Sequence, residues 1–351
     1  GLAICSYRYI ETPLRKGNSF SKRWKTIIFG VGLIITVSGV LITLEKSLKK
    51  SLYLGEQREH KELQYAGIGI TRENCMDHND FKQAIAKCWI NKKNEATSFR
   101  RIFFVGDSHN ESLSQSADYL SKKISDPIFM HSRRGTVFPV VGQYWDKRGG
   151  VDMGSSGRKK NDIIQSNAEN YFRSNIRGGD ILIITLRLPY YFGPNGFSNK
   201  EKDFIYKNNN GEKVSRKDFF GIWQNNLFDL ARNLEKKNAK LIISTPTPEW
   251  NNSKERFCRN IQWFNKLSSN NCVKERVFYD REYEVIIDFL ERLEKQNKNV
   301  FILDSFSALC PNGLCEYTKN DRGLYRDNSH PSNYASRNII GPILLDLINK
   351  I

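Results

Sequence analysis

Four short runs of almost continuously apolar residues limit the folds open to this chain more than any other feature. They are Ile102–Val105, Ile181–Thr185, Leu241–Ser244 and Val300–Leu303. A strand that is apolar on both faces has to be covered on both faces, which is typical of the parallel strands of α/β proteins. With helical periodicity between the runs, the sequence predicts a three-layer α/β/α domain around a parallel sheet.

Strands and helices alternate in this prediction, and two long polar insertions interrupt them. The insertions, Gly142–Asn161 and Tyr191–Val214, are rich in Gly, Asn and Lys, and we expect them to be mobile or to face a substrate. The predicted strands are Arg101–Val105, Ile128–His131, Ile181–Leu186, Lys240–Ser244 and Val300–Leu303, and the predicted helices are Asn110–Lys123, Lys217–Lys237, Tyr283–Lys295 and one after Pro331.

Upstream of this domain, Thr26–Leu44 is 19 residues long and contains no charged side chain. This length crosses most of a hydrocarbon core of ~30 Å as a helix. The segment is also apolar all round, so it predicts a transmembrane helix. Lys and Arg are somewhat more frequent before it than after it, which places the N-terminal side in the cytoplasm and the rest outside.

The cysteines agree with an extracytoplasmic location. Six of the seven lie beyond the apolar segment, and an even number in short-range pairs predicts three disulfides and an oxidising compartment. Cys75, His78 and Cys88 could supply three metal ligands, but no second Cys or His pair separated by two residues is present to complete a set of four. We therefore expect no metal. The predicted pairs are Cys75 with Cys88, Cys258 with Cys272, and Cys310 with Cys315.

The formal net charge of +17 raises the question of a nucleic-acid partner. The charge is dispersed, however, and its densest runs, Lys46–Lys50 and Arg158–Lys160, lie beside the apolar segment and in a polar insertion. No nucleic-acid-binding motif accompanies them, so we expect these basic residues to face solvent or an anionic surface instead.

The first chemical motif is Gly106-Asp107-Ser108-His109, directly after the first strand of the domain. A Ser here lies at the carboxyl edge of a parallel sheet and at a helix N-terminus, where N–H groups can stabilise a developing oxyanion. The alternative is that Asp107 or Ser108 only caps the helix.

The second motif, Asp327-Asn328-Ser329-His330, favours the catalytic interpretation. One turn of backbone lets the Asp327 carboxylate reach Nδ1 of His330 and leaves Nε2 free to take a proton from Ser108. Two alternatives remain: a surface histidine at a helix start, and His109 as the base, although its ring would have to fold back.

A strand followed by Gly-Asp-Ser-His and a late Asp-x-x-His resembles the SGNH hydrolase and acyltransferase superfamily. The resemblance covers about Ser98 to Ile351 and implies a flavodoxin-like sheet. It also implies that Ser108 is the nucleophile and that Asp327 and His330 complete the triad.

One branch of that superfamily is more similar still. Tyr7–Arg15 (YRYIETPLR) resembles the end of an acyltransferase-3 membrane domain, which in fused O-acetyltransferases precedes one further membrane span, a periplasmic linker and an SGNH domain. The Cys75/Cys88 and Cys310/Cys315 pairs also resemble this branch. Because the chain begins with Gly1 and has no secretory pattern, we expect it to be part of a longer protein.

The sequence departs from the superfamily at the oxyanion donors, because no Gly-x-Asn-Asp block is present. Gly135 is the candidate for the glycine donor. Arg187 stands where the asparagine is expected, as it does in the fused branch, and three roles remain open for it: donation to the oxyanion, binding of an anionic sugar, or pairing with an acid.

The resemblance implies a bacterial inner-membrane O-acetyltransferase whose SGNH domain lies in the periplasm. Acetyl-CoA would be the ultimate donor, through the membrane domain, and a surface glycan such as O-antigen or lipopolysaccharide would be the acceptor, with no cofactor bound in the SGNH domain. The alternatives are a carbohydrate acetyl esterase and a non-catalytic glycan-binding module. The expected parts are the end of the membrane domain (1–25), the span (26–44), the linker (45–98) and the SGNH domain (99–351).

Overall fold

The computed structural model describes residues 7–8, 12, 23–48, 75, 80–91, 100–146, 155–193, 204–208, 210–250, 272–319 and 322–351. The chain divides into two compact units, Gly1–Glu56 and Gln57–Ile351. The first unit contains helix α1, Arg23–Leu48. Across the described parts of the chain, no helix combines the length and the apolar character that a membrane crossing requires, so the predicted span is not supported there.

The second unit alternates short strands and helices. Its strands are β1 Trp89–Ile90, β2 Ile102–Gly106, β3 Ile128–Ser132, β4 Gly142–Asp146, β5 Ile181–Thr185, β6 Phe204–Asn208, β7 Lys213–Val214, β8 Lys240–Ser244, β9 Val273–Glu275, β10 Val300–Leu303, β11 Leu314–Glu316, β12 Thr318–Lys319 and β13 Arg322–Gly323. Its helices are α2 Phe81–Lys87, α3 Ser108–Ser112, α4 Ser114–Ser121, α5 Ser155–Asn175, α6 Leu188–Phe192, α7 Arg216–Lys236, α8 Arg276–Gln296, α9 Ser305–Leu309, α10 Asn333–Ala335 and α11 Gly341–Lys350, with Ser336–Ile340 a π-helical turn between the last two.

The main sheet has six strands in the order β1-β3-β2-β5-β8-β10. All neighbours pair in parallel except β1, which is antiparallel to β3. Every residue of β2, β3 and β5 is buried, so both faces of these strands are covered. The predicted α/β fold with a mostly parallel central sheet is therefore confirmed.

The strand order creates a crevice at the carboxyl edge of the sheet. From β2 the chain moves to β3 on one side and later to β5 on the other, and ligands of open α/β sheets bind where the order reverses in this way. Gly106 ends β2 here because a Cβ at this position would lie 1.9 Å from the carbonyl oxygen of Thr185.

The two predicted insertions contain regular structure. Their described parts form a three-stranded antiparallel sheet in which β6 pairs with β4 and β7, and α5 begins inside the first insertion. Tyr191 and Tyr206, both in the second insertion, are buried in the core. The described residues of the insertions are thus ordered by strand pairing and by packing against the core. Their polar composition gave no indication of this order.

The segment expected to be a linker contributes to the domain core. A disulfide joins Cys75 to Cys88 across α2, and Phe81 packs edge-on against Phe129 and Phe172. The strand β1 then forms the edge of the main sheet.

A second disulfide joins Cys310, directly after α9, to Cys315 in β11. Cys272 is disulfide-bonded as well. Its expected partner, Cys258, lies outside the described residues.

Candidate active site

Ser108 is the first residue of α3 and directly follows the turn that ends β2. Asp107 adopts an extended conformation there and caps the helix by accepting a hydrogen bond of 2.8 Å from the His109 backbone N–H. The capping role considered for this motif thus belongs to Asp107. The hydroxyl of Ser108 remains available for another partner.

That partner is His330. Its Nε2 lies 2.8 Å from Oγ of Ser108, and its Nδ1 lies 2.7 Å and 2.8 Å from the two carboxylate oxygens of Asp327. The backbone N–H groups of Ser329 and His330 also donate to Asp327, which fixes the carboxylate. The structure therefore brings together the three predicted residues in the relative geometry of a Ser-His-Asp triad.

The electrostatics keep Asp327 ionised. Burial by itself would raise the pKa of this carboxyl. The hydrogen bonds and the charge of His330, together with the hydrogen bond from the Ser329 N–H, outweigh burial and hold the pKa well below its usual range. An ionised Asp327 favours the Nδ1–H tautomer of His330, which leaves the lone pair of Nε2 directed at Ser108.

Asp107 links the turn between β2 and α3, which carries Ser108, to the loop after β5. One carboxylate oxygen accepts a hydrogen bond of 2.6 Å from the Tyr191 hydroxyl and one of 3.0 Å from the Arg187 backbone N–H. Burial raises the pKa of Asp107, although these hydrogen bonds oppose the shift. Sequence reasoning missed Tyr191 as a partner, since its position in a polar insertion gave no signal.

His109, the alternative base, points into the protein. Its Nδ1 lies 3.3 Å from Oγ1 of Thr247, and its Nε2 is buried and has no hydrogen-bond partner among the described residues. Burial, aided by the nearby charge of His330, lowers the pKa of His109 well below its ordinary value. It is therefore His330, and not His109, that contacts the serine.

Arg187 pairs with an acid, which was one of its three predicted roles. Its guanidinium binds Glu249 through two hydrogen bonds of 2.7 Å and 2.8 Å, and Glu249 is buried. Burial alone would lower the pKa of Arg187, but the Glu249 carboxylate raises it, so the charge is retained. The sequence gave no signal for Glu249, because it lies in a loop far along the chain.

Gly135 lies exposed in the turn after β3, with a φ of 61°. This left-handed conformation favours glycine. Its role as an oxyanion donor stays a prediction. In the same turn, Arg134 binds the buried Glu111 of α3 at 2.9 Å and 3.0 Å, which fixes the turn next to that helix.

A glycan-binding module would use exposed aromatic side chains on which sugars can stack, but several aromatic residues of this domain have structural positions instead. Trp223, Trp250 and Tyr191 are buried, and Tyr190 packs under the Arg187 guanidinium at 5.0 Å. Trp263 lies outside the described residues. In the part of the chain that the structure covers, no group of three or more His, Cys, Asp or Glu side chains is placed to hold a metal ion.

A hydrogen-bonded Ser-His-Asp arrangement at the switch point of a flavodoxin-like sheet defines an enzyme that transfers or hydrolyses acyl groups. Residues 74–344 match the family model of the SGNH domain that is fused to AT3 domains. The chain belongs to this family. A comparison with proteins of curated function finds no match.

Solved structures that match this chain include an acetylxylan esterase from Geobacillus stearothermophilus, at 12% identity over 71% of this chain and 94% of that chain, with a TM-score of 0.36. A GDSL-like lipase from Bacteroides thetaiotaomicron matches at 12% identity over 78% and 98%, with a TM-score of 0.37. A Bacillus subtilis protein matches at 13% identity and a TM-score of 0.36, over 72% of this chain and 57% of its own length.

Proposed function

We propose that this chain is an O-acetyltransferase of a cell-surface polysaccharide, with Ser108 as the residue that carries the acetyl group. The observation behind this proposal is the continuous hydrogen-bonded path from Ser108 Oγ through the His330 ring to Asp327. Such a path activates a hydroxyl that is otherwise a weak nucleophile.

In the first half-reaction, Oγ of Ser108 attacks the carbonyl carbon of an acetyl donor while Nε2 of His330 takes the hydroxyl proton. Asp327 holds the ring and stabilises its protonated form. His330 then returns the proton to the leaving group as the acetyl ester forms on Ser108.

In the second half-reaction, His330 takes the proton of an acceptor hydroxyl, whose oxygen attacks the carbonyl carbon of the ester. The bond to Oγ of Ser108 then breaks, and His330 returns the proton to this oxygen. The Ser108 backbone N–H, at the start of α3, and the N–H of Gly135 are the proposed donors to the oxyanion. The Arg187 guanidinium is already bound to Glu249, so we assign it a supporting role.

The family description supports a membrane acyltransferase partner, since SGNH domains of this kind are fused to AT3 domains. In the complete protein we propose that the AT3 domain passes on acetyl groups from acetyl-CoA. The acceptor is then a surface glycan of the O-antigen or lipopolysaccharide type, reached in the periplasm at the bacterial inner membrane. The disulfides at Cys75–Cys88 and Cys310–Cys315 are consistent with that compartment.

A carbohydrate acetyl esterase is the second candidate. The side chain of Asp327 is 35% exposed, so water reaches the edge of the triad and can replace the sugar hydroxyl as acceptor. A purely glycan-binding role is disfavoured, because Ser108 bonds to His330 and the buried tryptophans belong to the core.

Hydrolysis of p-nitrophenyl acetate by the full chain tests the serine site. We expect Ser108→Ala and His330→Ala each to lower kcat/KM by about 10³-fold or more. Ser121→Ala, at the far end of α4, is the matched serine control and should retain activity. Equal rates in all four proteins would contradict a serine-dependent acyl site.

A partition experiment separates transfer from hydrolysis. With p-nitrophenyl acetate as donor, increasing concentrations of an oligosaccharide acceptor should convert released acetate into acetylated sugar, which mass spectrometry detects. A transferase gives a sugar ester that rises with acceptor concentration and disappears in Ser108→Ala. Release of acetate alone at every acceptor concentration would favour the esterase.

A further inference from the structure

His109 has no part in the proposed half-reactions, although its ring packs against that of the proposed base. The ring centroids of His109 and His330 are 4.5 Å apart, and the ring planes are tilted by 41°. This is contact distance for two aromatic rings. His109 is only 2% exposed, so it is a buried partner of the His330 ring.

The hydrogen bonds around His109 determine which of its nitrogens carries the proton. Oγ1 of Thr247 donates its single hydrogen to the Ser329 carbonyl at 2.8 Å. Toward Nδ1 of His109, 3.3 Å away, the same oxygen can therefore only accept. His109 is thus the Nδ1–H tautomer, and the lone pair lies on Nε2.

That Nε2 is buried and has no hydrogen-bond partner among the described residues. A second proton there would create a cation inside the protein without an acceptor, which burial strongly disfavours. The lowered pKa of His109 has the same cause. Because Nε2 does not reach solvent, His109 cannot exchange a proton with a bound ester.

We propose that His109 is a positioning residue for His330: a neutral ring, held by Thr247, that supports the base imidazole on one face and stabilises its protonated form during acyl transfer. This inference rests on the proposed function of the same site. An aromatic face within ~6 Å attracts a cation. A protonated His109 would repel the imidazolium instead, so its neutrality is part of the role.

Thr247 couples this support to the loop of the triad. Its hydroxyl bonds the carbonyl of Ser329, the residue directly before His330, while it accepts from His109. One side chain therefore fixes both the backbone that carries the base and the ring that packs against it.

The other charged groups near the two rings come from three elements. Asp107 belongs to the β2–α3 turn, Arg187 to the turn after β5, and Arg326 and Asp327 to the loop of His330 itself. Burial and the charge of His330 lower the pKa of His109 most, Arg187 and Arg326 lower it further, and Asp327 opposes them. Variants of His109 leave these four groups in place, so a change in the pH profile reports on the missing ring.

The test compares His109→Ala, which removes the ring, with His109→Phe, which keeps an aromatic face. We expect His109→Ala to lower kcat by about 10- to 100-fold, since a displaced base loses its geometry. Without the ring, the acid-side midpoint of the pH–rate profile should fall by about half to one pH unit. His109→Phe should lose less activity and keep the midpoint of the wild type.

Nitrogen-15 NMR of the histidine rings gives a readout that does not depend on turnover, and the chain has only five histidines. In the wild type, the His109 signals should show the Nδ1–H tautomer and should not titrate between about pH 5 and 9. If His109 titrates in that range, or if the pH at which the His330 signals change is the same in wild type and His109→Ala, the inference is wrong.

Two Thr247 variants cover the case in which His109→Ala does not fold. Thr247→Ser keeps the hydroxyl and should keep the tautomer, whereas Thr247→Val removes the acceptor and should broaden or shift the Nδ1 signal of His109. An unchanged Nδ1 signal in Thr247→Val would overturn the inference. Full turnover in Ser108→Ala would instead overturn the proposed function, while the NMR comparison would still decide on His109.

Discussion

Asp327 does two things for the proposed base: it accepts from Nδ1 and fixes the direction of the ring. An Asn at this position can still accept there, but its amide can also donate, which favours the wrong tautomer of His330. We expect Asp327→Asn to lower kcat/KM for p-nitrophenyl acetate by about 10²- to 10⁴-fold. A loss of less than tenfold in a folded variant would contradict the assigned role.

The same carboxylate affects stability in acid. Its pKa is lower in the folded protein than in the unfolded chain, so the stabilisation is complete above the unfolded pKa of about 4 and is lost as the pH falls through the lowered value. Thermal unfolding curves of Asp327→Asn should therefore change less with pH than those of the wild type below about pH 4. Parallel curves for the two proteins would contradict this contribution.

Glu249 holds the Arg187 guanidinium through two hydrogen bonds in a buried setting. Glu249→Gln keeps the shape but leaves the arginine charge without its partner, so we expect the free energy of unfolding to fall by about 3 kcal/mol. Denaturant titration measures this loss. The exposed pair Arg232–Asp229 is the matched control, and Asp229→Asn should change stability by less than about 0.5 kcal/mol.

At the scale of elements, the close pairing of β2 with β5 tolerates no side chain at Gly106. A Cβ there would lie 1.9 Å from the Thr185 carbonyl oxygen, and backbone atoms cannot yield as a flexible side chain can. We expect Gly106→Ala to destabilise the fold by about 3 kcal/mol and to displace Ser108. Thermal unfolding and ester hydrolysis measure the two effects.

Gly221 provides the control for that substitution. It lies inside α7, and an added Cβ would meet nothing within 4 Å. Gly221→Ala should therefore stabilise the protein by about 0.5 to 1 kcal/mol, because alanine loses less backbone entropy in a helix. Equal effects at the two glycines would contradict the steric argument.

Elements differed in how well the sequence predicted them. The five parallel strands of the main sheet were predicted closely, since buried strands have continuous apolar runs, whereas the edge strand β1 was missed. The helix α8 begins at Arg276 and not at Tyr283, because Tyr279 also packs in the core. The strands β4, β6 and β7 were missed, since their polar residues gain order only through pairing with each other.

On the scale of the whole molecule, the disulfides fasten peripheral segments to the domain. Cys75–Cys88 closes a loop with a sequence separation of 13 around α2, and a loop of this size stabilises by about 3 kcal/mol in the chain-entropy account. The double variant Cys75→Ser/Cys88→Ser should lower Tm by several degrees. Mass spectrometry without reduction should also show Cys258 joined to Cys272, whereas a free thiol at Cys258 would contradict that pair.

The sequence by itself determined the parallel α/β fold and the three residues Ser108, Asp327 and His330. Apolar runs specify buried strands, and an Asp three residues before a His lets the two side chains meet. Ser108 was indicated by its motif directly after a strand and by the resemblance to the SGNH superfamily. Only the tertiary structure decided the partners of Arg187, Asp107 and His109. Those partners lie on loops far apart in the chain, and closure of the sheet brings these side chains together at one edge, so no local pattern could indicate them.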